Sequence, residues 1–532
     1  MKDIAFTSPT RAKKYKEAYS NAKQNIKILT SDEALSMVVE GKLTKSQYNL
    51  IRNTAREHNS NMYPNYEAII SAKTKCYPDN LHITESVAEV SLQNLLDHTV
   101  SRLFLSIEEV TEYLKPLKVL KTLYLITKWG CDGSSGMSEY KQKFSDPNVS
   151  DSNIFLTSIV PIQLISGNPK IKGNVVLWHN PRPSSPRYCR PIRVQFLHET
   201  TYSTIQEVKY IENQISRLQP TSVTINNCKI IVNHELVFTM IDGKVCNAVS
   251  ENSSTQKCYL CGLSSKNFNN IELVMKTQVI NKEHLQFGLS SLHAWIRFFE
   301  CILHLAYKLV IRKWQARGKE DKQKVAENKK KIQEAFRQEM GLLVDKPKPG
   351  YGSSNDGNTA RRFFGDPETS SKITGVNKDL ISRFKVILAT ISSGHKIKVE
   401  PFKIYCLDTA TRFTELYPWY NMPTTVHKIL IHSAEIISYA ILPIGQLGEE
   451  AQEARNKDIK RYRESFSRKF SRQKNMEDVF HRLLISSDPY ISNLRKLIPK
   501  EFSKYPAEVI HFLEEPDVNR ELADETSTSD TQ

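Results

Sequence analysis

Near residue 119 the apolar residues change period, and that change limits the folds open to this chain more than any other feature. Upstream, apolar positions recur at helical spacing. From there to residue 241 they form short β-rich runs bounded by Gly, Pro, Asn or Ser: residues 119–127, 154–165, 175–178, 192–197 and 228–241. One amphipathic helix interrupts them over residues 203–218, with Ile205, Val208, Ile211 and Ile215 on one face. Strands, a helix and a further strand predict an α/β unit built on a mixed sheet. The first strand ends at Trp129-Gly130-Cys131-Asp132-Gly133, and the last at Asp242-Gly243. Taken singly, each Asp-Gly is an ordinary turn. Taken together, Asp132 and Asp242 stand where ribonuclease-H-like folds set carboxylates side by side to hold two divalent cations.

Such a site needs a third carboxylate. Residues 417–472 offer one in Glu449-Glu450-Ala451-Gln452-Glu453, which leads into a basic helix with Arg455, Lys457, Lys460, Arg461 and Arg463. The same stretch opens on an aromatic and proline cluster at residues 417–423. It continues into an apolar helical segment carrying His427 and His432. Far upstream, Cys258 and Cys261 form a CxxC, two thiolates of the kind that supply half of a tetrahedral zinc site. His427 and His432 fit the missing half, although a zinc finger would hold its histidines much closer to its cysteines. Buried core histidines are the alternative reading of that pair.

The remaining chain sets the frame. Lys plus Arg total 74 against 58 Asp plus Glu, a net charge of +16, which favours a polyanion: nucleic acid or an acidic membrane surface. Nine cysteines in 532 residues do not make a disulfide scaffold. The first residues lack the apolar core of a secretory signal, and no run of about twenty apolar residues occurs, so a soluble intracellular protein is expected. Residues 1–75 read as basic helices about a polar turn at 59–64, compatible with a helix-turn-helix-like DNA contact or with a plain helical bundle. Residues 76–117 read as further helix. The charged helix at 313–340 and the loop at 346–358 precede Arg361 and Arg362, candidate phosphate contacts at a helix start. The loop glycines do not follow the Walker pattern, which excludes a nucleotide-binding loop. Residues 514–532 are acidic, rich in Ser and Thr, and read as disordered.

The stretches CYLCG, LSSLHAWIRFFECILHLAYKL, SSNDGNTARRFF, YPWYNMPTTVHKILIH and ILPIGQLGEEAQEARNK, spread over residues 250–475, resemble the Transib transposases, the group related to the catalytic subunit of the V(D)J recombinase. The resemblance implies an α/β fold: a ribonuclease-H-like core at 118–250, completed at 441–485 and interrupted by a zinc-binding helical insert at 251–440. It further implies a dimerisation and DNA-binding module at 1–75, a helical linker at 76–117, and a C-terminal helix and tail at 486–532. Asp132, Asp242 and Glu453 become the catalytic triad for two Mg²⁺ or Mn²⁺ ions. Glu453 is preferred because the family's acid lies just before the Asn456-Lys457 pair, and Glu449 is the runner-up. Cys258, Cys261, His427 and His432 become ligands of a structural Zn²⁺.

The implied activity is that of a nuclear homodimer on paired terminal inverted repeats in double-stranded DNA. It nicks one strand with water, turns the 3′-hydroxyl on the opposite strand to leave a hairpinned flank, and joins the free end to target DNA. Hairpinning needs an unstacked base, which Trp419 or Tyr420 could hold, with packing as the competing role. Arg455, Lys457 and Arg461 join Arg361 and Arg362 as expected DNA contacts. A catalytically silent DNA-binding protein and a structure-specific nuclease are the alternatives.

Overall fold

The computed structural model describes residues 10, 13–16, 27–114, 122–169, 174–225, 228–277, 279–348, 352–495 and 505–514. The expected acidic tail beyond 514 and the expected strand start at 119–121 lie outside them. Helices α1 (Ser31–Glu40), α2 (Lys45–Glu57) and α3 (Tyr66–Thr74) come first. Thr30 and Thr44 close capping boxes with Glu33 and Gln47, and Asn65 caps α3. Their shared core joins Leu35, Val38, Tyr48 and Ile69 to Ile485 and Ile491 from the far end of the chain.

The all-helical expectation for 76–117 is corrected. Residues His82–Ile83 (β1) and Val87–Glu89 (β2) are short strands, because Val87, Ala88 and Glu89 find antiparallel partners in Gln195, Val194 and Arg193. Helices α4 (Leu92–Ser106) and α5 (Glu108–Leu114) follow as expected.

Next come β3 (Thr122–Ser135), β4 (Asn153–Ser166), β5 (Val175–His179), β6 (Arg190–Gln195), α6 (Thr201–Ile215), β7 (Thr221–Ile225) and β8 (Cys228–Phe238). The curled mixed sheet has the order β1-β2-β6-β4-β3-β8-β7, with β5 also on β4. β3 runs antiparallel to β4 but parallel to β8. β7 was not expected from the sequence; it is a short edge partner of β8. β3 is also longer than expected. It passes through Gly130, and Asp132 pairs with Leu156 inside the strand rather than closing a turn. Gly130 is required there: a Cβ would run into the backbone of Met240, whose N–H, with that of Thr239, donates to the Trp129 carbonyl at 3.1 and 3.2 Å. The two strand ends that carry Asp132 and Asp242 are thereby drawn together.

Beyond α7 (Gly243–Val249) and α8 (Ile271–Lys276), the chain leaves the sheet for a helical unit. It comprises α9 (Ser291–Lys308), α10 (Lys319–Glu339), the small hairpin β9 (Pro347–Lys348) and β10 (Gly352–Ser353), and α11 (Gly357–Gly365). Helices α12 (Pro367–Thr374), α13 (Lys378–Ile391), α14 (Val399–Leu416) and α15 (Thr424–Tyr439) complete it. The apolar stripe of α9, with Phe298, Phe299, Ile302 and Leu305, is the centre of its core.

Helix α16 (Glu450–Ser465) then returns to the sheet, followed by α17 (Arg472–Ser486), α18 (Pro489–Leu494) and α19 (Ala507–His511). Thr157 donates to Glu207 of α6 at 2.6 Å, and its neighbour Ser158 donates to Gln452 of α16 at 3.2 Å. Successive strand residues point to opposite faces, so α6 and α16 cover opposite sides of the sheet. α19 packs back on the helical unit through Val509 and Phe512. Among the described residues no single helix is long and apolar enough to cross a membrane.

Candidate functional site

At the junction of β3, the segment after β8 and α16, Asp132 lies within the electrostatic reach of Asp242 and Glu453. Asp132 projects from β3 toward α16 and accepts a hydrogen bond from Asn456 Nδ2 at 2.7 Å. Asp242 follows β8 and caps α7, its Oδ1 accepting from the backbone N–H groups of Lys244 and Val245 at 2.9 and 2.8 Å. Glu453 lies on α16 one turn before Asn456, half exposed, with Lys457 Nζ 3.6 Å away. Burial, then the charges of Asp242 and Glu199 and, more weakly, Glu453, push the Asp132 carboxyl up to about 8 against the pull of His293. A carboxylate in such company is short of positive charge. The three acids are neighbours in charge, but their oxygens do not close to the spacing of a tight ligand cluster. Among the described residues only the cysteine and histidine group does so.

Glu199 is the residue that sequence reasoning missed. It follows β6 in the short loop before α6. Its stem comes so close to Gly133 that a Cβ there would collide with it. Its Oε2 pairs with Lys244 at 2.9 Å, its Oε1 is buried without a partner, and burial with the Asp242 charge holds its carboxyl above the ordinary range. The only sequence signal was an acidic residue directly after a β-rich run.

Glu449 and Glu450 take other work. Glu449 is buried and accepts from His293 Nδ1 at 2.9 Å and from Ser290. Burial disfavours the charged imidazole, but Glu449 and then Asp242 overcome it and push His293 up to about 9. An imidazolium from the helical unit therefore faces the acids. His293, at the start of the otherwise apolar α9, stands at the site. Glu450 pairs with Arg361 at 3.1 Å. Below them, fully buried Lys128 donates to the carbonyls of Gln446 and Gly448 at 2.9 and 2.8 Å, fixing the loop that launches α16.

The expected DNA contacts divide. Arg455 is buried: it donates to Ser486 at 2.8 Å, to Asp458 at 3.2 Å and to the Pro186 carbonyl, so it holds α16 in place and cannot reach DNA. Arg461 is engaged by Asp458 at 2.8 Å, whereas Lys457 is 79% exposed. Arg362 donates to the Met340 carbonyl at 2.7 Å and Arg361 to Glu450, so both are committed within the chain. Tyr420 is buried against Trp314, and Trp419 packs edge-on to Tyr417 and Tyr420 while staying partly exposed.

The second centre lies in the helical unit. Residues 257–264 form a tight hairpin in which Cys258 N–H donates to the Leu263 carbonyl at 2.8 Å and Gly262 takes a left-handed φ of 74°. It sets Cys258 and Cys261 against His427 and His432, both on α15. All four residues are buried, and one ligand atom from each lies within 4.8 Å of the others. His432 Nδ1 meets Glu435 at 3.0 Å while its Nε2 is buried without a partner, the state of an imidazole oriented for a metal by a carboxylate behind it. Phe268 stacks on the His427 ring at 3.8 Å. Cys261 and the two imidazoles beside it draw the Cys258 thiol far below its ordinary range, toward thiolate. A buried Cys₂His₂ set of this kind could hold a structural metal such as Zn²⁺.

The chain matches no protein-family model and no curated protein.

Proposed function

We propose that the chain is a metal-dependent DNA transposase of the DDE type, with a ribonuclease-H-like core whose acids are Asp132, Asp242 and Glu453. The observation that carries this reading is the junction at the sheet's centre. A first carboxylate on β3 and a second after the parallel β8 face a helix that brings Asn456 to Asp132 and carries Glu453 one turn before it. The strand order β6-β4-β3-β8, antiparallel twice and then parallel, supports the core assignment. The donor set suits hard divalent cations, since it consists of carboxylate oxygens.

Two Mg²⁺ or Mn²⁺ ions bound there would activate the attacking oxygen and stabilise the leaving one. The chain's own groups do the positioning. Asn456 fixes one Asp132 oxygen and leaves the other free, and the α7 backbone fixes one Asp242 oxygen in the same way. His293, held protonated by Glu449, supplies positive charge beside the phosphate's expected seat. Lys457, exposed on α16, is the basic residue of that helix best placed to meet a DNA backbone. Zn²⁺ at Cys258, Cys261, His427 and His432 would keep the insert rigid above this centre.

The test is cutting of a labelled duplex that carries the terminal inverted repeat, with Mg²⁺ or Mn²⁺, by wild type and by Asp242→Asn. Nicks followed by hairpinned flank from wild type alone are expected. Nicks without hairpins support a structure-specific nuclease. Salt-sensitive binding without cutting by either protein overturns the enzyme reading in favour of a silent DNA-binding protein.

A further inference from the structure

A second cationic recess lies away from the acids, between the N-terminal helices and the pair α16–α17. It encloses about 490 Å³ and is lined by Lys42, Lys45 and Lys73 from one side and Tyr462, Phe466 and Arg482 from the other. Its volume falls in the range of small-molecule sites, roughly 300–1,000 Å³. Lys45 and Lys73 flank the same Tyr66 ring, at 5.4 and 5.0 Å from its centre, and Lys73 also donates to the Tyr66 hydroxyl at 2.9 Å. Arg482 donates to the Phe466 carbonyl at 3.1 Å and lies 4.5 Å over the Phe466 ring.

Two carboxylates stand here, Asp478 in the lining of the recess and Glu40 beside Lys42, and both are engaged by arginines. Asp478 is forked by Arg468 at 2.9 and 2.8 Å, and Glu40 is held by Arg187 and Arg495 at 2.9 and 2.6 Å. Among the described residues none of Lys42, Lys45, Lys73 and Arg482 has a carboxylate oxygen within 4.0 Å. Burial holds the Arg482 guanidinium below its ordinary range, against the opposing pull of Tyr462, Tyr66 and Asp478. Lys42 adds a backbone signal. It takes φ 53° in the turn after α1, while Gly41 beside it, better suited to that conformation, stays at −74°.

Basic groups that share a recess repel one another in part, and an anion seated between them relieves that repulsion. We propose that this recess binds a multiply charged phosphate, seated on Lys42, Lys45, Lys73 and Arg482, and that its occupancy fastens α1–α3 to α16–α17. The anion is either a free polyphosphate or consecutive backbone phosphates of DNA. Neither alternative depends on the carboxylate centre, so the proposal stands or falls apart from the cutting reaction.

Calorimetric and thermal titrations of the full chain with inorganic tripolyphosphate and with inositol hexakisphosphate test it. Saturable binding is expected, with a raised Tm, and a loss of affinity of about tenfold or more in Lys45→Gln/Lys73→Gln. The control Lys322→Gln/Lys330→Gln, on exposed positions of α10, keeps wild-type affinity. If duplex DNA displaces the probe, and Lys45→Gln/Lys73→Gln also loses duplex affinity, the phosphates belong to DNA. Probe binding untouched by duplex assigns a free polyphosphate. No saturable binding of either probe, or equal losses in the control, overturns the proposal.

Discussion

Removing one thiolate from the Cys₂His₂ group is the perturbation whose size the structure lets us work out best. Cys258 is fully buried, and the group joins a hairpin at residues 257–264 to a helix far along the chain: Cys261 and His427 are 166 residues apart. In Cys258→Ser a metal held there would lose a ligand, leaving Cys261, His427 and His432 as buried polar groups with incomplete partners. Each such group costs about 1–3 kcal/mol, so the expected loss is several kcal/mol. Zinc-finger peptides, which have almost no core, owe their metal about 10–16 kcal/mol, and that sets the ceiling. Here Phe268, Phe298 and the rest of the α9 core persist without metal, so the unit is expected to loosen rather than unfold outright.

For a unit of this size each kcal/mol moves the Tm by about 2–4 °C, which predicts a fall on the order of 10 °C. The assay is zinc content per chain by elemental analysis, paired with a circular-dichroism melt before and after chelation. One zinc per chain is expected for wild type and for the control Cys301→Ser, and less than one for Cys258→Ser. Because the ligands must shed protons to bind, zinc is also expected to leave on acidification. A Cys258→Ser protein with full zinc and a wild-type Tm would refute the reasoning.

Other consequences are smaller but sharp. Gly130→Ala drives a Cβ into the Met240 backbone, so a destabilisation of about 1–3 kcal/mol by chemical denaturation is expected, together with loss of divalent-dependent cutting. Arg455→Ala should cost several times more stability than Lys457→Ala. The first strands buried partners while the second changes an exposed site, where about 0.5 kcal/mol is the usual limit. Asp132 carries its proton up to about 8 in the folded chain, above its unfolded range. In metal-free protein its contribution to stability is therefore complete at low pH and is lost as pH rises through about 8. Asp132→Asn should flatten that decline in a series of melts from pH 5 to pH 9, and an unchanged slope would count against it.

How much of this was legible beforehand follows from what each signal encodes. The central strands were visible because β-branched runs of this length, punctuated by turn residues, have few other solutions. β1, β2 and β7 were not, since strands of two to five residues at or next to a sheet edge are defined by their partners rather than by their own pattern. Gly130 and Gly133 read as the end of a strand because glycine is the usual sign of a turn. In the fold both lie inside β3, where backbone at Met240 and the stem of Glu199 come too close for any side chain. The Cys₂His₂ set was readable from chemistry alone. Its closure across the helical unit was not readable from spacing. Arg455 shows the limit of charge reading: a basic helix face says nothing about which of its members turn inward.

The most direct test of the central claim is a count of Mn²⁺ ions bound by the full chain in the presence of duplex DNA, followed by electron paramagnetic resonance. Two ions per chain are predicted for wild type. Asp132→Asn, Asp242→Asn and Glu453→Gln should each lose at least one, whereas Cys258→Ser should lose zinc without losing both Mn²⁺ ions. Equal Mn²⁺ binding by wild type and all three acid variants would contradict the account.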